Sequence, residues 1–502
     1  MEDNEKLPWY RDSEMEPPFR LTTCFKNLRG LEYNFVSLFP WSLASVHDGH
    51  FGDDWARFIV TYAGSVVVGS TEELYLVRAL RPGGRQKQQI RLDTELSPIT
   101  AVGWALSRGP PLEPLLVIAT SSVLCVYSVG NGKAVGFMRG HGGPISSIAV
   151  HPRSPSYVCT TSSDQSARIY DLDRHADAPQ VNPFWLPGTG PSKAGAPHGL
   201  RSSEREEWGR GLCVTILVGG RSGGHFAAVT CAAFHPTFPL IATGGMDRVV
   251  KIWRVRDYEG ELLREDKPLY SSTLVHRSSV ASVVWLSQDT LLTHCTSTAY
   301  TSHIDLPREE HHTRDEDDDL PEKEWYGSPG RIVILRWLGL NRFFPPDETS
   351  YRSIQRGCLS DFQESSSFTM IASIPLPYYP HTPHLRVFGD VYHDHIILIA
   401  HQKTLRLLNT LHVPGVETTD FPAYQGLFPI DFMAESRLIA EGKVDAKWLE
   451  DNDWVRGLGW CIHLAPRFAV DEHVKAVDMG LDGEMIVAVG SKGTTWIWMK
   501  DL

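Results

Sequence analysis

An all-β fold assembled from repeated four-stranded sheets is what this sequence predicts, and three observations predict it. The first is a repeat: GHGGPISSIAVHPRSPSYVCTTSSDQSARIYD, from Gly140 to Asp171, returns as HFAAVTCAAFHPTFPLIATGGMDRVVKIWR from His225, with His-Pro, Asp and aromatic landmarks in the same order. The second is spacing. His141 lies 23 positions before Asp164 and 29 before Tyr170, and His225 lies 22 before Asp247 and 28 before Trp253. The third is apolar alternation (Ile145, Ile148, Val150) broken by turn residues, the pattern of short antiparallel strands. A four-stranded unit cannot bury both faces alone, so such units stack on their neighbours.

Taken in chain order, copies are expected near residues 36–80, at 99–129, at the two segments above, at 275–306, at 385–411 and at 474–502. The copy at 275–306 keeps the His but replaces the turn Asp and the terminal Trp; the last ends in Trp496 and Trp498. Seven units imply a closed seven-bladed β-propeller of the WD-repeat type, one domain over residues 1–502. The last copy holds three strands, so residues 19–28 (FRLTTCFKNL) are expected to supply the fourth and close the ring, leaving 1–18 as an N-terminal tail. Insertions are expected at 177–210, 307–327, 338–367 and 413–472. The first is rich in Pro, Gly and Ser and reads as a loop. The second carries the acidic run PREEHHTRDEDDDLPEKE (307–324), either a solvated loop or a surface for a basic tail. The last holds aromatics that suit an accessory helix or a docking surface.

Composition excludes several classes. The chain has 502 residues, 42% of them hydrophobic, and a net charge of −12 spread along its length, so direct binding to nucleic acid is not expected. No apolar run reaches membrane-spanning length, and the eight cysteines never form a C-x-x-C clip. A soluble intracellular protein without cofactor or metal is expected.

Within the two best copies, His141, Asp164 and Tyr170 with Thr160 or Ser162, and His225, Asp247 and Trp253 with Thr243, can form a buried hydrogen-bond relay. The same constellation could be read as a catalytic triad, but its recurrence at fixed spacing fits a structural latch. Gly220-Arg221-Ser222-Gly223-Gly224 matches G-x-S-x-G on paper, yet that motif needs a helix after it, and HFAAVTCAAF reads as a strand. No enzyme is expected.

With the blades in register, GHGGPISSIAVHPRSPS, GGMDRVVKIWR, VHRSSVASVVWL with LLTHC, and IVAVGSKGTTWIWMKDL resemble the extra-sex-combs/EED family, the WD-repeat subunit of Polycomb repressive complex two. TTCFKNL resembles the family's opening strand. The resemblance implies a nuclear, noncatalytic scaffold for gene silencing within a histone H3 lysine-27 methyltransferase complex. One face would hold a helix of the SET-domain catalytic subunit, alongside other Polycomb subunits. The other would grip a trimethylated lysine of the histone H3 tail in an aromatic cage, where ring faces attract a quaternary ammonium. The cage positions fall on Thr100, on His384 and Leu385, and near Ser45 to His47, none of them Phe, Tyr or Trp. Trimethyl-lysine reading is therefore expected to be lost or weakened; Trp41, Tyr378 and Tyr379 are the aromatics near enough in sequence to rebuild a partial cage. The alternative on the same fold is a substrate receptor of a cullin-type ubiquitin ligase or another signalling scaffold.

Overall fold

A computed structural model describes residues 8–12, 16–27, 29–45, 52–78, 87–90, 98–107, 109, 111–178, 207–218, 223–301, 325–328, 330–346, 358–376, 383–389, 393–415, 428–430, 459–464 and 472–501. Among them all but four of the strands fall into seven four-stranded antiparallel blades, five as separate sheets and two joined into a larger one. Their innermost strands are Phe35–Leu38, Ile99–Ser107, Ile145–Val150, Val229–Phe234, Val280–Trp285, His384–Phe388 and Val474–Gly480. The fold is an all-β propeller.

Apolar clusters fill the seams and carry the packing around the ring. Phe39 and Leu74 of the first blade meet Trp104 and Ile118 of the second. Val250 and Tyr270 of the fourth meet Val333 and Trp337 of the fifth. Ile332 and Ile374 of the fifth meet Leu385 and Ile399 of the sixth. Val66 and Val68 of the first meet Val487 and Ile497 of the seventh, so first and last blades share a seam like any other. The outermost strand of the seventh blade is Phe19–Lys26, which pairs antiparallel with Thr494–Lys500 from Phe19 opposite Lys500 to Lys26 opposite Thr494. Leu28 lies outside the described residues.

Several boundaries differ from the sequence reading. The segment 1–18 is not only a tail: Trp9–Arg11 form a 3-10 turn docked on the sixth blade. The first blade carries an α-helix, Gly52–Tyr62, between its first two strands, and its Trp55, Phe58 and Ile59 pack into the first seam. The copy at 275–306 is interrupted; its third strand is Arg331–Trp337 and its fourth Phe368–Pro375, because the acidic insertion splits the blade between its second and third strands. Trp208–Arg210 belong to the strand Trp208–Leu217 rather than to the 177–210 insertion, and Gly459–His463 is the fourth strand of the sixth blade rather than part of 413–472. Trp325–Gly327 belong to a strand that pairs with Thr298–Thr301 and Phe428–Ile430 in an accessory three-stranded sheet.

Strand Trp208–Leu217 is a belt. It pairs with its own third blade, reaches the second through Trp208 opposite Phe137 and Gly209 opposite Gly136, and runs parallel to Leu263–Glu265 after the fourth blade's third strand. The crossing demands glycine twice. A Cβ on Gly136 would stand 2.0 Å from the Arg210 carbonyl oxygen, and one on Gly209, whose φ is +73°, would stand 2.1 Å from that of Val135.

Antiparallel blades have two distinct ends. Turns between second and third strands share one end with the inter-blade connections, here the latch end. Turns between first and second, and between third and fourth, share the other, here the helix end. The acidic insertion departs from the latch end after Thr301; those after Ala178, Trp337 and Val413 depart from the helix end.

Candidate functional site

The inner strands open at the latch end with a repeated irregularity. Register shifts set Thr100, Ser146, Thr230, Ala281 and Lys475 out of the ladder at the start of five of them, as β-bulges do. Three of these side chains stitch neighbouring blades. The Ser146 hydroxyl donates to the Val229 carbonyl oxygen, Thr230 donates to that of Val280, and the Lys475 ammonium meets Glu32 at 2.6 Å. Asp478 adds a three-blade knot: its carboxylate accepts from the Leu38 backbone N–H at 2.9 Å and from Arg386 Nε at 3.2 Å.

The positions aligned with an aromatic cage sit in this zone and have other partners. Thr100 Oγ1 donates to the Ala119 carbonyl oxygen at 3.4 Å. His384 Nδ1 accepts from the Val477 N–H at 3.3 Å, tying the sixth blade to the seventh, and Leu385 is buried in the seam between the fifth and sixth. Burial first, then Arg386 and His294, push His384 down to about 4. Trp41 packs edge to face on Phe39 with centroids 5.1 Å apart, at the first seam. Ser45 lies in a 3-10 turn at the helix end. His47, Tyr378 and Tyr379 lie outside the described residues.

The latch residues come together in both blades. His141 Nδ1 is 2.9 Å from the Asp164 carboxylate and Nε2 is 2.7 Å from Thr160 Oγ1. His225 repeats this with Asp247 at 2.9 Å and Thr243 at 2.8 Å, and Trp253 Nε1 donates to Thr243 at 2.8 Å. An ionised carboxylate only accepts, so Nδ1 donates to it and Nε2 accepts from the hydroxyl. Burial lowers both histidines, while the hydrogen bonds from His141, Ser166 and the Gly142 N–H hold Asp164 down to about 2 against its own burial. Tyr170, fully buried, takes the place of Trp253 in the third blade. Ser162 instead donates to the Gly143 carbonyl oxygen.

Nothing in this arrangement offers a nucleophile to solvent: Thr160, Thr243 and the histidines are buried. Gly223 and Gly224 lead into the strand at Val229 rather than a helix, and Gly220, Arg221 and Ser222 lie outside the described residues. Among the described residues no group of His, Cys, Asp and Glu is set to hold a metal, and no helix is long and apolar enough to cross a membrane.

The latch makes a direct prediction. Asp247→Ala strands the N–H groups of Phe226 and Val249, at 3.1 and 3.2 Å, together with the His225 donor. Urea unfolding is expected to show a loss of about 3 kcal/mol, in the range for a buried polar network broken from one side. A loss under about 0.5 kcal/mol, the scale of an ordinary surface change, would contradict the latch.

One latch escaped the sequence reading. Glu472 precedes the inner strand of the seventh blade, near the place His141 and His225 hold in theirs, and its carboxylate accepts from the N–H groups of Lys492 and Thr494 and from the Thr494 hydroxyl, at 2.9, 3.1 and 2.7 Å. The polarity is inverted, the acid sitting on the connection and the donors on the turn, so no His-to-Asp spacing could reveal it.

Comparison with known proteins places these features. The model of the WD domain, G-beta repeat, matches residues 132–171 and 213–254. Polycomb group protein FIE1 of Zea mays is 25% identical over 194 residues, 38% of this chain and 34% of that protein. Polycomb protein EED of Chaetomium thermophilum is 27% identical over 178 residues, 34% of this chain and 25% of that protein. The matches thus span about a third or less of these relatives' length. Pre-mRNA-processing factor 19 of Bos taurus is 28% identical over 138 residues, 26% of this chain and 27% of that protein, so part of the signal belongs to the repeat alone. A chain of the solved Chaetomium thermophilum Polycomb Repressive Complex 2 bound to GSK126 superposes with a TM-score of 0.58 at 17% identity, over 96% of this chain and 98% of that one, a likeness of fold. The chain is a propeller that carries WD repeats and is similar, over about a third of its length, to the Polycomb EED and FIE proteins.

Proposed function

We propose that this divergent relative of the Polycomb EED and FIE proteins is a nuclear, noncatalytic scaffold subunit of a Polycomb-type histone H3 lysine-27 methyltransferase complex. It holds a helix of a SET-domain catalytic subunit, assembles with further Polycomb subunits, and has lost or weakened trimethyl-lysine reading at its latch end. The observation that carries the last point is the occupation of the cage positions. His384 is spent on a backbone N–H of the next blade, Leu385 on the core and Thr100 on its own blade, and none of them is Phe, Tyr or Trp.

The helix end supports the scaffold reading. Leu43, Val60, Leu338 and Leu411 are 62%, 57%, 56% and 68% exposed, and all four belong to connections at that end. Phe226 and Met246, 68% and 56% exposed, lie at the latch end instead, and the larger share at the helix end suits an apolar helix laid across it. The propeller is the single domain.

One purified chain tests both halves. Affinity capture from nuclei is expected to recover a SET-domain methyltransferase; a cullin adaptor in its place would overturn the scaffold assignment. Titration with an H3 peptide trimethylated at lysine 27 is expected to give no binding that depends on the methyl groups. Low-micromolar affinity, about −8 kcal/mol, that vanishes with the unmethylated peptide would restore reading.

A further inference from the structure

The fifth blade has kept half of a latch. His276 lies four positions before the inner strand at Val280, as His225 does before Val229, and its Nε2 is 2.8 Å from Thr293 Oγ1, matching Thr243 in the fourth blade. The position of Asp247, two residues past the second strand, is Ser297 here, and its hydroxyl accepts from the Gly330 N–H at 3.1 Å. His276 Nδ1 is left buried without a hydrogen-bond partner among the described residues, although the side chain is 2% exposed. In the sister blades that same nitrogen donates to a carboxylate at 2.9 Å. A buried ring nitrogen in this condition, donor or acceptor by tautomer, carries the full penalty of desolvation.

The surroundings have changed sign as well. Two backbone N–H groups bind Asp247, those of Phe226 and Val249. The corresponding residues of the fifth blade are Arg277 and Arg331. Arg331 Nη1 donates to Ser373 at 3.0 Å, but Nε has no partner among the described residues. Among the described residues the ionisable groups that act on Arg331 are Cys295 and Arg277, with no carboxylate among them, and His294 beside them has an Nε2 without a partner there. A socket shaped for an acid has lost its acid and gained the Nε of Arg331, unpartnered among the described residues, a positive group where the sister blades hold a carboxylate.

We propose that the latch end of the fifth blade is a carboxylate-binding site, in which His276 Nδ1 and Arg331 take an acidic side chain that the blade itself does not supply. The socket is shared chemistry with two sources. One is an acidic peptide of a partner. The other is this chain's own sequence, which between 307 and 324 holds nine acidic residues against three basic ones.

Histidine-selective 15N labelling of the full chain reads the site without relying on any activity, with His225 as internal standard. Sodium acetate, against sodium chloride at equal ionic strength, is the probe. Its addition is expected to raise the proton affinity of His276 tenfold or more and to leave His225 unmoved, which assigns the source to a partner. A proton affinity already raised in the wild-type chain, and lowered by joint conversion of Asp317, Asp318 and Asp319 to Asn, assigns it to the chain itself. Ser297→Asp returns the acid to the blade and is expected to fix His276 in the raised state, with no further response to acetate; its melting curve checks that the blade stays folded. A His276 that is identical in wild type, with acetate and in the Asn variant overturns the proposal, as does an acetate response that His225 shares.

Discussion

Removal of residues 1–30 is expected to destabilise the chain by roughly 5 kcal/mol or more, a large part of the ~5–15 kcal/mol that holds a typical domain together. The lost segment contributes a whole outer strand, from Phe19 opposite Lys500 to Lys26 opposite Thr494, and the Asn27 N–H bond to the Gly493 carbonyl at 2.8 Å. It also contributes a clasp on the sixth blade. Trp9 is 9% exposed and meets Trp460 and Phe19 edge to face at 5.1 and 5.2 Å; Arg11 forms two 2.8 Å bonds to Asp394; Asn409 donates to the Tyr10 carbonyl oxygen at 2.6 Å. Trp9 and Phe19 alone account for about 1.5–3 kcal/mol each. Deletion further bares Thr494–Lys500 as an edge open to pairing between molecules. Calorimetry and light scattering are expected to show earlier melting with aggregation, whereas Arg20→Ala, which removes an exposed pair with Asp501, should change stability by under about 1 kcal/mol. A truncated chain that melts with the full one would show that the clasp and strand are dispensable.

Acid is expected to unfold the protein well before its carboxylates titrate. Burial pushes His235 and His294 down to about 4, and their residues are 0% and 1% exposed. His235 is held neutral by geometry too, donating from Nε2 to the Gln288 carbonyl oxygen at 2.8 Å and accepting at Nδ1 from the N–H groups of Thr237 and Phe238. His276 falls to about 3, and joins them so long as no carboxylate stands beside it. Each binds a proton in the unfolded chain below pH 6.5 and not in the fold until near pH 4 or lower. Stability is therefore complete above pH 6.5 and declines as pH falls from there toward the folded values, by about 1.4 kcal/mol per unit for each histidine. The lowered Asp164 and Asp247 add a second loss only below pH 4, as pH drops through their folded values. Tryptophan fluorescence is expected to report cooperative unfolding between pH 6 and 4, with two or more protons taken up at pH 5. A fold intact at pH 4, or uptake of less than one proton, would contradict these burials.

What the sequence disclosed and what it hid divide on a physical line. Latches were legible because hydrogen-bond geometry fixes the spacing of His141 and Asp164, and of His225 and Asp247, whatever lies between blades. The closing strand was legible because a three-strand remainder asks for a fourth. Features that depend on contacts distant in sequence were hidden: the strand Arg331–Trp337 lies beyond a long insertion, Gly459–His463 beyond a longer one, and Glu472 serves a latch of opposite polarity. The helix Gly52–Tyr62 carried a signal that went unread, since Trp55, Phe58, Ile59 and Tyr62 recur at helical spacing. At the cage positions the alignment told which residues were absent; only the structure told that His384 and Leu385 had been given other work.

The belt at Trp208–Leu217 makes the ring mechanically lopsided. Blades two to four are riveted on their outer rim by one continuous strand, and the opposite arc leans on a seam that the N-terminus must zip shut. Under tension or heat the circle gives way on that far side first, leaving the belted sector as the last arc still standing.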